Sequence, residues 1–461
     1  MSTTVSVIGL GFLGVLLAGY VAQRYLPAPT PKIVGIDLGT TYSSIGVYHA
    51  VSGDVEIFAD AKDRKTIPSI VTFLENGTTL VGYAALALID HYPERTLWDA
   101  KRFIGKSFTE EELAEEAQRY PFQIKLVNGS SAVFVIPPPP LATGSKQQGR
   151  SGRDPLLITP EQVGSIILSY LRSLAEHQLK AQLSRAVVSV PAEFSEVQRN
   201  ATAQAARLSG LDVYRVISEP TAAALAYGLH KKEGVDHVLI VDLGGGTLDV
   251  SLLMIQGGMF ITRAMAGNNH LGGQDFNQRL FEHFLSEIQS EFNQTLTDPE
   301  DIQNLRLAVE SLKLELTYRP QASLQLPLRS LQKHPAAAAA ASSSDSERFY
   351  RSTLSRAQFE QLNDDLFQRI LRCIQAALDD VALQRSEVDE IVLVGGSTRI
   401  PRIRQLIQQY FDGRQLNWGI DPELAIVTGV AVQAGVLGGG WPLQVSAVEL
   451  PARLKKIHVY D

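Results

Sequence analysis

Two glycine-rich turns, one early and one midway, constrain the fold of this 461-residue chain more than any other feature. Each turn follows an apolar run and opens on an aspartate: residues 37–41 read DLGTT and residues 242–249 read DLGGGTLD. We expect each to be a strand, a tight turn and a second strand. Glycine lets the backbone approach an anion closely, and successive N–H groups can form a concave anion site. The pair therefore predicts a two-lobed clamp that grips phosphates.

The aspartates in these turns imply a metal ion. Asp37 and Asp242 would repel a phosphate directly, so a cation must lie between them. Hydrated Mg²⁺ suits that position, because it keeps several waters and binds through few carboxylates plus phosphate oxygens. Thr40, Thr41 and Thr247 add hydroxyl donors. Either turn alone could be an ordinary β-hairpin, and it is the pair that favours a nucleotide site.

Composition bounds the class of protein. The length predicts two large domains or lobes, and 45% hydrophobic with 20% charged residues is typical of a globular protein. A net charge of −7 argues against general nucleic-acid binding, which needs a basic surface. The single cysteine, Cys373, excludes an intrachain disulfide and a thiolate metal cluster. We expect it to be a small buried residue on a helix.

The amino-terminal segment resembles a targeting sequence. Residues 5–22 are apolar apart from Ser6, and a proline-rich spacer over 23–32 follows. We interpret residues 1–22 as a secretory signal peptide or a membrane anchor. The sequence leaves cleavage and retention open. A secretory route would expose four Asn-x-Ser/Thr sites to glycosylation: Asn76, Asn128, Asn200 and Asn293.

Strands and helices recur in a repeated order. Residues 33–60 indicate a strand meander, and apolar spacing predicts a helix over 160–180. A similar succession follows the second glycine turn, ending in an amphipathic helix predicted over 359–383. Low-complexity inserts at 137–154 and 333–346 are predicted to loop out. The pattern indicates an internally duplicated α/β architecture.

A third glycine turn follows a buried strand late in the chain. Residues 391–394 run into Gly395-Gly396-Ser397-Thr398-Arg399. In open α/β sheets, ligands bind beyond the carboxyl ends of the strands. Gly395 and Gly396 would let the backbone face a base or ribose, and Arg399 could stack on an adenine ring. The alternative is a plain connection between a strand and a helix.

Two single residues have both a structural and a functional interpretation. Glu219 lies at the start of a predicted helix, and Pro220 suits its first turn. The glutamate is either a helix cap or a carboxylate for metal-bound water. Lys101 either lies on a solvated helix face or points at a γ-phosphate.

Taken together, these motifs closely resemble the ATPase domain of the heat-shock protein 70 chaperones, over roughly residues 33–437. The matching segments are residues 36–42, 190–194, 219–228, 242–249, 270–276 and 394–401. The resemblance implies an α/β, duplicated actin-like (ribonuclease H-like) fold of two lobes, with nucleotide in the central cleft. Within the family, the apolar amino terminus and the length are most like a microsome-associated member that consists of the ATPase core.

The resemblance also implies domain limits and residue roles. The limits are ATPase lobe I at 33–231, lobe II at 232–420, a helical crossover at 421–440 and a tail at 441–461. The catalytic residues would be Lys101, Glu219, Asp242 and Thr247. Nucleotide would be held by Gly39, Thr40, Thr41, Tyr42, Gly244, Gly245, Gly246, Glu310, Lys313, Gly395, Gly396, Ser397 and Arg399. Metal ions would be held by Asp37, Asp242, Asp249 and Asp275.

Within these sets the implied roles differ. Lys101 would orient the attacking water near the γ-phosphate, while Asp249 and Asp275 would hold a monovalent cation such as K⁺. Glu310 and Lys313 would bond the ribose. Phosphoryl transfer to water depends on positioning and electrostatics, which suits these groups.

Four positions depart from the family pattern. Leu314 stands where an arginine usually covers one face of the adenine, so apolar contact would replace it. Gln274 replaces a glutamate, Ser218 replaces an asparagine, and Glu423 replaces an aspartate. Neither Gln274 nor Ser218 removes a catalytic group, and Glu423 keeps the charge on a longer side chain.

The expected function is a slow, Mg²⁺-dependent ATPase core that binds ATP and ADP, lacks a peptide clamp and hydrolyses ATP without peptide stimulation. Residues 441–461 are too few for such a clamp, which needs about fifty or more. The alternative is a nucleotide-gated scaffold or co-chaperone-binding module with negligible turnover. A sugar or glycerol kinase of the same fold is a weaker third hypothesis.

Partners and location follow from the same resemblance. We expect ATP, with co-chaperones or nucleotide-exchange factors, to bind a monomer, and we expect no nucleic acid. Residues 5–22 could associate with a membrane. The predicted location is the endoplasmic reticulum lumen or the microsomal membrane.

Overall fold

A computed structural model describes residues 31–138, 154–328, 349–438, 448–450 and 454–460, together with 11 and 13–15. Most of the predicted signal or anchor, most of the spacer and nearly all of both predicted inserts lie outside these residues. No helix in the described part of the chain is long and apolar enough to cross a membrane.

The secondary structure alternates between strands and helices. The strands are β1 (Val34–Leu38), β2 (Tyr42–His49), β3 (Asp54–Ile57), β4 (Ile67–Pro68), β5 (Val71–Phe73), β6 (Thr79–Val81), β7 (Thr96–Leu97), β8 (Gln123–Val127), β9 (Ser131–Ile136), β10 (Leu156–Ile158), β11 (Arg185–Val190), β12 (Asp212–Ser218), β13 (His237–Leu243), β14 (Leu248–Gln256), β15 (Met259–Asn268), β16 (Gln321–Pro327), β17 (Phe349–Ser355), β18 (Glu390–Val394), β19 (Leu416–Asn417), β20 (Val448–Leu450) and β21 (Ile457–His458).

The helices follow the same chain order. They are α1 (Tyr83–Leu86), α2 (Glu110–Ala117), α3 (Pro160–Leu179), α4 (Glu196–Leu208), α5 (Glu219–Ala226), α6 (Gly273–Phe292), α7 (Pro299–Tyr318), α8 (Arg356–Leu362), α9 (Asp364–Asp379), α10 (Pro401–Tyr410) and α11 (Ala425–Leu437). Short 3₁₀ helices lie at Pro93–Arg95, Ala100–Arg102, Leu229–Lys231, Arg385–Glu387 and Gly396–Arg399.

Residue contacts divide the chain into two compact units. Unit 1 comprises residues 1–188, 197–216 and 430–446, and unit 2 comprises 189–196, 217–429 and 447–461. Helix α11 covers most of residues 421–440, which are predicted to be a helical crossover. The boundary between unit 2 and unit 1 falls within this helix, after residue 429.

Unit 1 is built on a sheet in the order β12-β11-β1-β2-β3, with β4 paired to β2. Strand β1 is buried along its whole length, as an apolar central strand must be. Helix α3 starts as its sequence predicts, because Thr159 and Gln162 form a capping box around its first turn. Its apolar face, spaced at three and four residues, is buried in the core of unit 1.

Unit 2 repeats this arrangement. Its main sheet has the order β19-β18-β13-β14-β15-β20, and β21 also pairs with β15. Strand β13 is antiparallel to β14 and parallel to β18. In unit 1, β11 and β12 extend the meander β1-β2-β3 on the side of β1. In unit 2, β18 and β19 extend the meander β13-β14-β15 on the side of β13. The two five-strand orders therefore match. The predicted internal duplication is confirmed.

Some helix limits differ from the sequence predictions. The helix predicted over 359–383 is broken into α8 and α9 at Asn363, whose buried side-chain amide donates to the Phe359 carbonyl at 2.9 Å. That bond satisfies a carbonyl at the end of α8 and ends the helix there. Cys373 is fully buried on α9, as predicted, and burial raises the pKa of its thiol to about 11.

Candidate functional site

The first glycine turn joins β1 to β2 in unit 1, as predicted. The strands form an antiparallel hairpin that reaches Leu38 and Ser43. A Cβ on Gly39 would lie 2.0 Å from the Tyr42 carbonyl oxygen, so only glycine fits. The Ser69 hydroxyl donates to the Gly39 carbonyl at 2.8 Å and holds the turn in place. Thr40 is half-buried, while Thr41 and Tyr42 are exposed at the tip.

Unit 1 also buries two charged residues of the predicted site. Asp37 lies in β1 and is buried, and Lys101 lies in the 3₁₀ helix Ala100–Arg102 with only 6% of its surface exposed. This burial argues against the interpretation of Lys101 as part of a solvated helix face.

The second glycine turn joins β13 to β14 in unit 2. The Gly244 N–H closes the turn on the Thr247 carbonyl at 3.1 Å. The Gly273 and Gln274 N–H groups, at the start of α6, donate to the Gly244 and Gly245 carbonyls at 3.0 and 2.7 Å. The loop is therefore fixed against the amino terminus of a twenty-residue helix, whose dipole favours anions.

Close approach of glycines makes this loop possible. A Cβ on Gly272 would lie 2.6 Å from the Gly245 carbonyl carbon and the Gly246 nitrogen. A Cβ on Gly273 would lie 2.9 Å from the Ser397 hydroxyl and 3.3 Å from Lys313 Nζ. Larger side chains at these positions would fill the space that the loop and its neighbours occupy.

Two predicted nucleotide ligands converge on the same loop. The Ser397 hydroxyl donates to the Gly244 carbonyl at 2.8 Å, and Lys313 Nζ donates to the Gly273 carbonyl at 3.1 Å. Burial lowers the pKa of Lys313, and the Glu310 carboxylate one turn away opposes this shift. We call the loop 244–246 with Lys313 and Ser397 the glycine cradle. It places a buried cation and a hydroxyl beside a half-buried glycine turn, which suits an anion.

The third glycine turn lies beside Asp242. Gly395 has φ of +83°, and a Cβ there would lie 2.3 Å from the Leu243 carbonyl oxygen and 2.7 Å from Asp242 Oδ1. A Cβ on Gly396 would lie 2.8 Å from Glu423 Oε1. The end of β18 thus packs against the end of β13 in a way that only glycine permits.

Arg399 is held by two carboxylates in unit 2. Its guanidinium bonds Asp421 and lies 3.2 Å from Glu423. Burial would lower the pKa of Arg399, but these carboxylates outweigh it and raise the pKa. Leu314 and Tyr318, one turn apart on α7, are 55% and 73% exposed, and the Tyr318 hydroxyl is within electrostatic range of Arg399. An exposed apolar and aromatic surface beside a fixed guanidinium is suited to a planar base.

Three predicted carboxylates meet in one pocket of unit 2. We call it the acidic pocket; its charged lining residues are Glu193, Glu219, Asp242, Asp249 and Lys456. Glu219 is the first residue of α5, after the N-cap Ser218 and before Pro220, as its sequence predicts. Burial raises the pKa of Glu193, although Lys456 opposes the shift. Burial would lower the pKa of Lys456, but Asp249 and Glu193 raise it.

Asp275 has a structural role at the start of α6. Its carboxylate accepts the Gly272 N–H at 2.8 Å and so caps α6. Burial raises the pKa of Asp275, against the effect of that bond. Within the described residues, no three carboxylate, imidazole or thiol groups lie close enough together to hold a metal ion. The metal roles of Asp37, Asp242, Asp249 and Asp275 stay predictions.

Sequence reasoning missed Glu193, Lys456 and the role of Gly272 and Gly273. The adjacent glycines before α6 were a usable signal, since paired glycines indicate close backbone approach. The sequence carried no signal for Lys456, because its contact with Asp249 joins residues that are 207 positions apart.

Two units with one strand order, each with an aspartate-opened glycine turn, define a duplicated actin-like ATPase. Residues 33–450 match the profile of the family described as HSP70, Hsp70 protein. The chain is 47% identical over 479 residues to "Heat shock 70 kDa protein 13" of Mus musculus, Rattus norvegicus and Homo sapiens, and each alignment covers 98% of both chains. The chain therefore belongs to the heat-shock protein 70 family and carries its ATP-binding and ATP-hydrolysing core.

Proposed function

We propose that this chain is a slow, Mg²⁺-dependent ATPase of the secretory pathway whose hydrolysis does not respond to peptide. The observation that carries the proposal is the glycine cradle. The cradle packs against Gly272 and Gly273, where close contacts leave no room for a side chain. Lys313 is buried beside it with its pKa lowered. A buried ammonium beside a glycine turn supports binding of a phosphorylated ligand.

The donor groups fit a nucleotide and its metal ion. The exposed faces of Leu314 and Tyr318, with Arg399 held by its carboxylates, would receive the adenine. Glu310 and Lys313 would bond the ribose, and the glycine turns would hold phosphate oxygens. Carboxylates and water are ligands that Mg²⁺ prefers, and Asp37 and Asp242 would hold it. When bound, Mg²⁺ would offset the charge of the phosphates.

Hydrolysis then depends on this chain's own positioning groups. Lys101, buried and positively charged, would orient the attacking water and stabilise negative charge that develops on the phosphoryl group. Glu219, fixed at the first turn of α5, would accept hydrogen bonds from water in the acidic pocket. Thr247, at the end of the second turn, would donate to a phosphate oxygen. These are positioning and electrostatic effects, which dominate phosphoryl transfer.

Independence from peptide is supported by the packing of the last described residues. Strands β20 and β21 pair with β15 of unit 2, so the polypeptide that follows α11 returns to the ATPase core. A segment committed to this sheet is a poor candidate for relaying a peptide signal.

A secretory location is supported by the apolar residues 5–22 and by the sequons. Asn76, Asn128, Asn200 and Asn293 are all exposed. We propose the endoplasmic reticulum lumen or the microsomal membrane as the site of action, with a monomer that binds co-chaperones or nucleotide-exchange factors.

The test is ATP hydrolysis by the purified 461-residue chain, with and without extended peptides. We expect slow phosphate release that chelation of Mg²⁺ abolishes and that peptides leave unchanged. Peptide stimulation would contradict the proposal. Nucleotide-dependent protection from protease without any turnover would instead support the alternative, a nucleotide-gated binding module.

Replacing Lys313 with methionine should show whether its ammonium contributes to the stability of the fold or to nucleotide binding. Because burial disfavours its charged form, we expect Lys313→Met to keep or raise the melting temperature of the nucleotide-free protein. The loss of a charge-assisted hydrogen bond to nucleotide costs about 1.5–3 kcal/mol, so ADP affinity should fall by about tenfold or more. Calorimetric titration and thermal melting measure both effects.

The matched control is Lys125→Met, at an exposed position of β8 in unit 1, which should alter neither quantity. A Lys313→Met protein that melts early yet binds ADP normally would show that the ammonium is structural.

A further inference from the structure

Most of the charged side chains that line the acidic pocket are carboxylates. Four carboxylates line it, and Lys456 is its one basic lining residue. Asp242 and Asp249 are direct cross-strand partners in the β13–β14 hairpin. Cross-strand partners lie on one face of the sheet, and like charges directly opposite each other are destabilising. A cation at this point would offset that repulsion.

Lys456 supplies a cation there. Its Nζ donates to Asp249 Oδ1 at 2.6 Å and to Asn269 Oδ1 at 3.0 Å, and it lies 3.5 Å from Glu193 Oε2. Only 4% of the lysine side chain is exposed. The ammonium is thus surrounded by three oxygen acceptors, as a bound monovalent cation would be.

The register of the sheet makes room for this side chain. Gly267 on β15 is the partner of Asp249 on β14. A Cβ on Gly267 would lie 2.6 Å from Lys456 Cε, so any other residue would obstruct the lysine. The lysine stem crosses β15 at the position where the strand has no side chain.

The residues that follow Lys456 are fixed along β15. Ile457 and His458 pair with Ala266 and Gly267. The Val459 N–H donates to the Gly267 carbonyl at 2.9 Å, and the Asn268 amide donates to the Val459 carbonyl at 2.6 Å. The ammonium is therefore presented by a paired strand, which reduces the conformational entropy lost on holding it in place.

We propose that the Lys456 ammonium is a tethered cation of the acidic pocket, in the position at Asp249 that the family resemblance gives to K⁺. Asp249 Oδ1 bonds the ammonium, which therefore takes the place at this oxygen that a K⁺ ion would have. Lys456 is a positioning residue: it holds Asp249, and through Asp249 it offsets the charge next to Asp242. Only the link to nucleotide rests on the proposed function.

The first experiment melts the full nucleotide-free chain in KCl, ammonium chloride and tetramethylammonium chloride at equal ionic strength. The variants are Lys456→Met, Lys456→Arg and the control Lys455→Met, whose lysine is adjacent but exposed. In tetramethylammonium, Lys456→Met should melt about 5 °C below the native chain. K⁺ or ammonium should restore part of that loss, because each can enter the site that the lysine leaves.

The native chain, Lys456→Arg and Lys455→Met should melt alike in the three salts. Adding Asp249→Asn to Lys456→Met should remove the rescue by K⁺. The proposal is overturned if Lys456→Met melts equally early in all three salts, because the lysine would then be structural only. It is also overturned if the native chain depends on K⁺ as strongly as Lys456→Met does.

A second measurement links the pocket to nucleotide. We expect ADP affinity of Lys456→Met to be about tenfold weaker in tetramethylammonium than in KCl, while the native chain shows the same affinity in both. If the ratio of ADP affinities in the two salts is the same for the native chain and Lys456→Met, the link between the pocket and nucleotide binding is overturned. If the native chain binds no ADP, the proposed function fails, and the melting series still decides whether Lys456 is a tethered cation.

Discussion

Lys101→Ala is expected to lower ATP turnover by about 100-fold or more, the loss typical of removing one preorganised group that stabilises developing charge. Lys101 is buried in unit 1 with 6% of its surface exposed, where water screens its charge poorly. An ammonium in such a place acts strongly on a phosphoryl group. The resemblance gives it the role of orienting the attacking water, which alanine cannot perform.

Single-turnover hydrolysis separates this role from nucleotide binding. We expect Lys101→Ala to bind ADP with near-native affinity, because the group acts on the reacting phosphate. Lys65→Ala, at an exposed position of the same unit, is the control and should hydrolyse ATP normally. Native turnover in Lys101→Ala would remove Lys101 from the mechanism. A folded variant that binds no ADP would make it a binding residue.

Gly395→Ala is expected to destabilise unit 2 strongly. The residue has φ of +83°, and the added methyl would meet the Leu243 carbonyl oxygen at 2.3 Å and Asp242 Oδ1 at 2.7 Å. Both backbone strain and a clash with the end of β13 oppose the change. We expect a loss of about 4 kcal/mol in unfolding free energy, in the range that marks a specific defect, together with weak ADP binding.

Gly413→Ala isolates the backbone contribution. Gly413 has φ of +86°, but a Cβ there meets no atom within 4 Å. Gly413→Ala should lower the unfolding free energy by about 1–2 kcal/mol, the penalty of a left-handed conformation alone. It should leave ADP binding intact. Thermal melting and ADP titration of both variants measure the difference. Equal losses in the two proteins would show that the contact with Asp242 is unimportant.

Local patterns predicted much of this protein. The two glycine turns, the start of α5 at Glu219 and the capped helix α3 each depend on a few neighbouring residues, and the structure has them where the sequence places them. The duplication also followed from the repeated order of strands and helices. The break at Asn363 escaped prediction because amphipathic spacing continues through it, and only a side-chain bond to Phe359 ends the helix.

The acidic pocket shows why part of the site was not predictable. Glu219, Asp242 and Asp249 each lie in a recognisable motif, but Glu193 and Lys456 join them only through sheet pairing between distant segments. The Lys456–Asp249 contact spans 207 positions, and the register of β21 on β15 decides it. No local composition marks one lysine of an adjacent pair as buried and the other as exposed.

The strands β20 and β21 have a practical meaning for anyone who produces this protein. They lie along β15, which would otherwise present unpaired N–H and C=O groups to solvent, and such an edge is a template for pairing with another chain. A shortened version that stops at α11 would keep the glycine turns and uncover that edge. An affinity tag fused directly to the carboxyl terminus would begin within a few residues of the stacked rings of His458 and Tyr460. A spacer between the chain and the tag is therefore the better design.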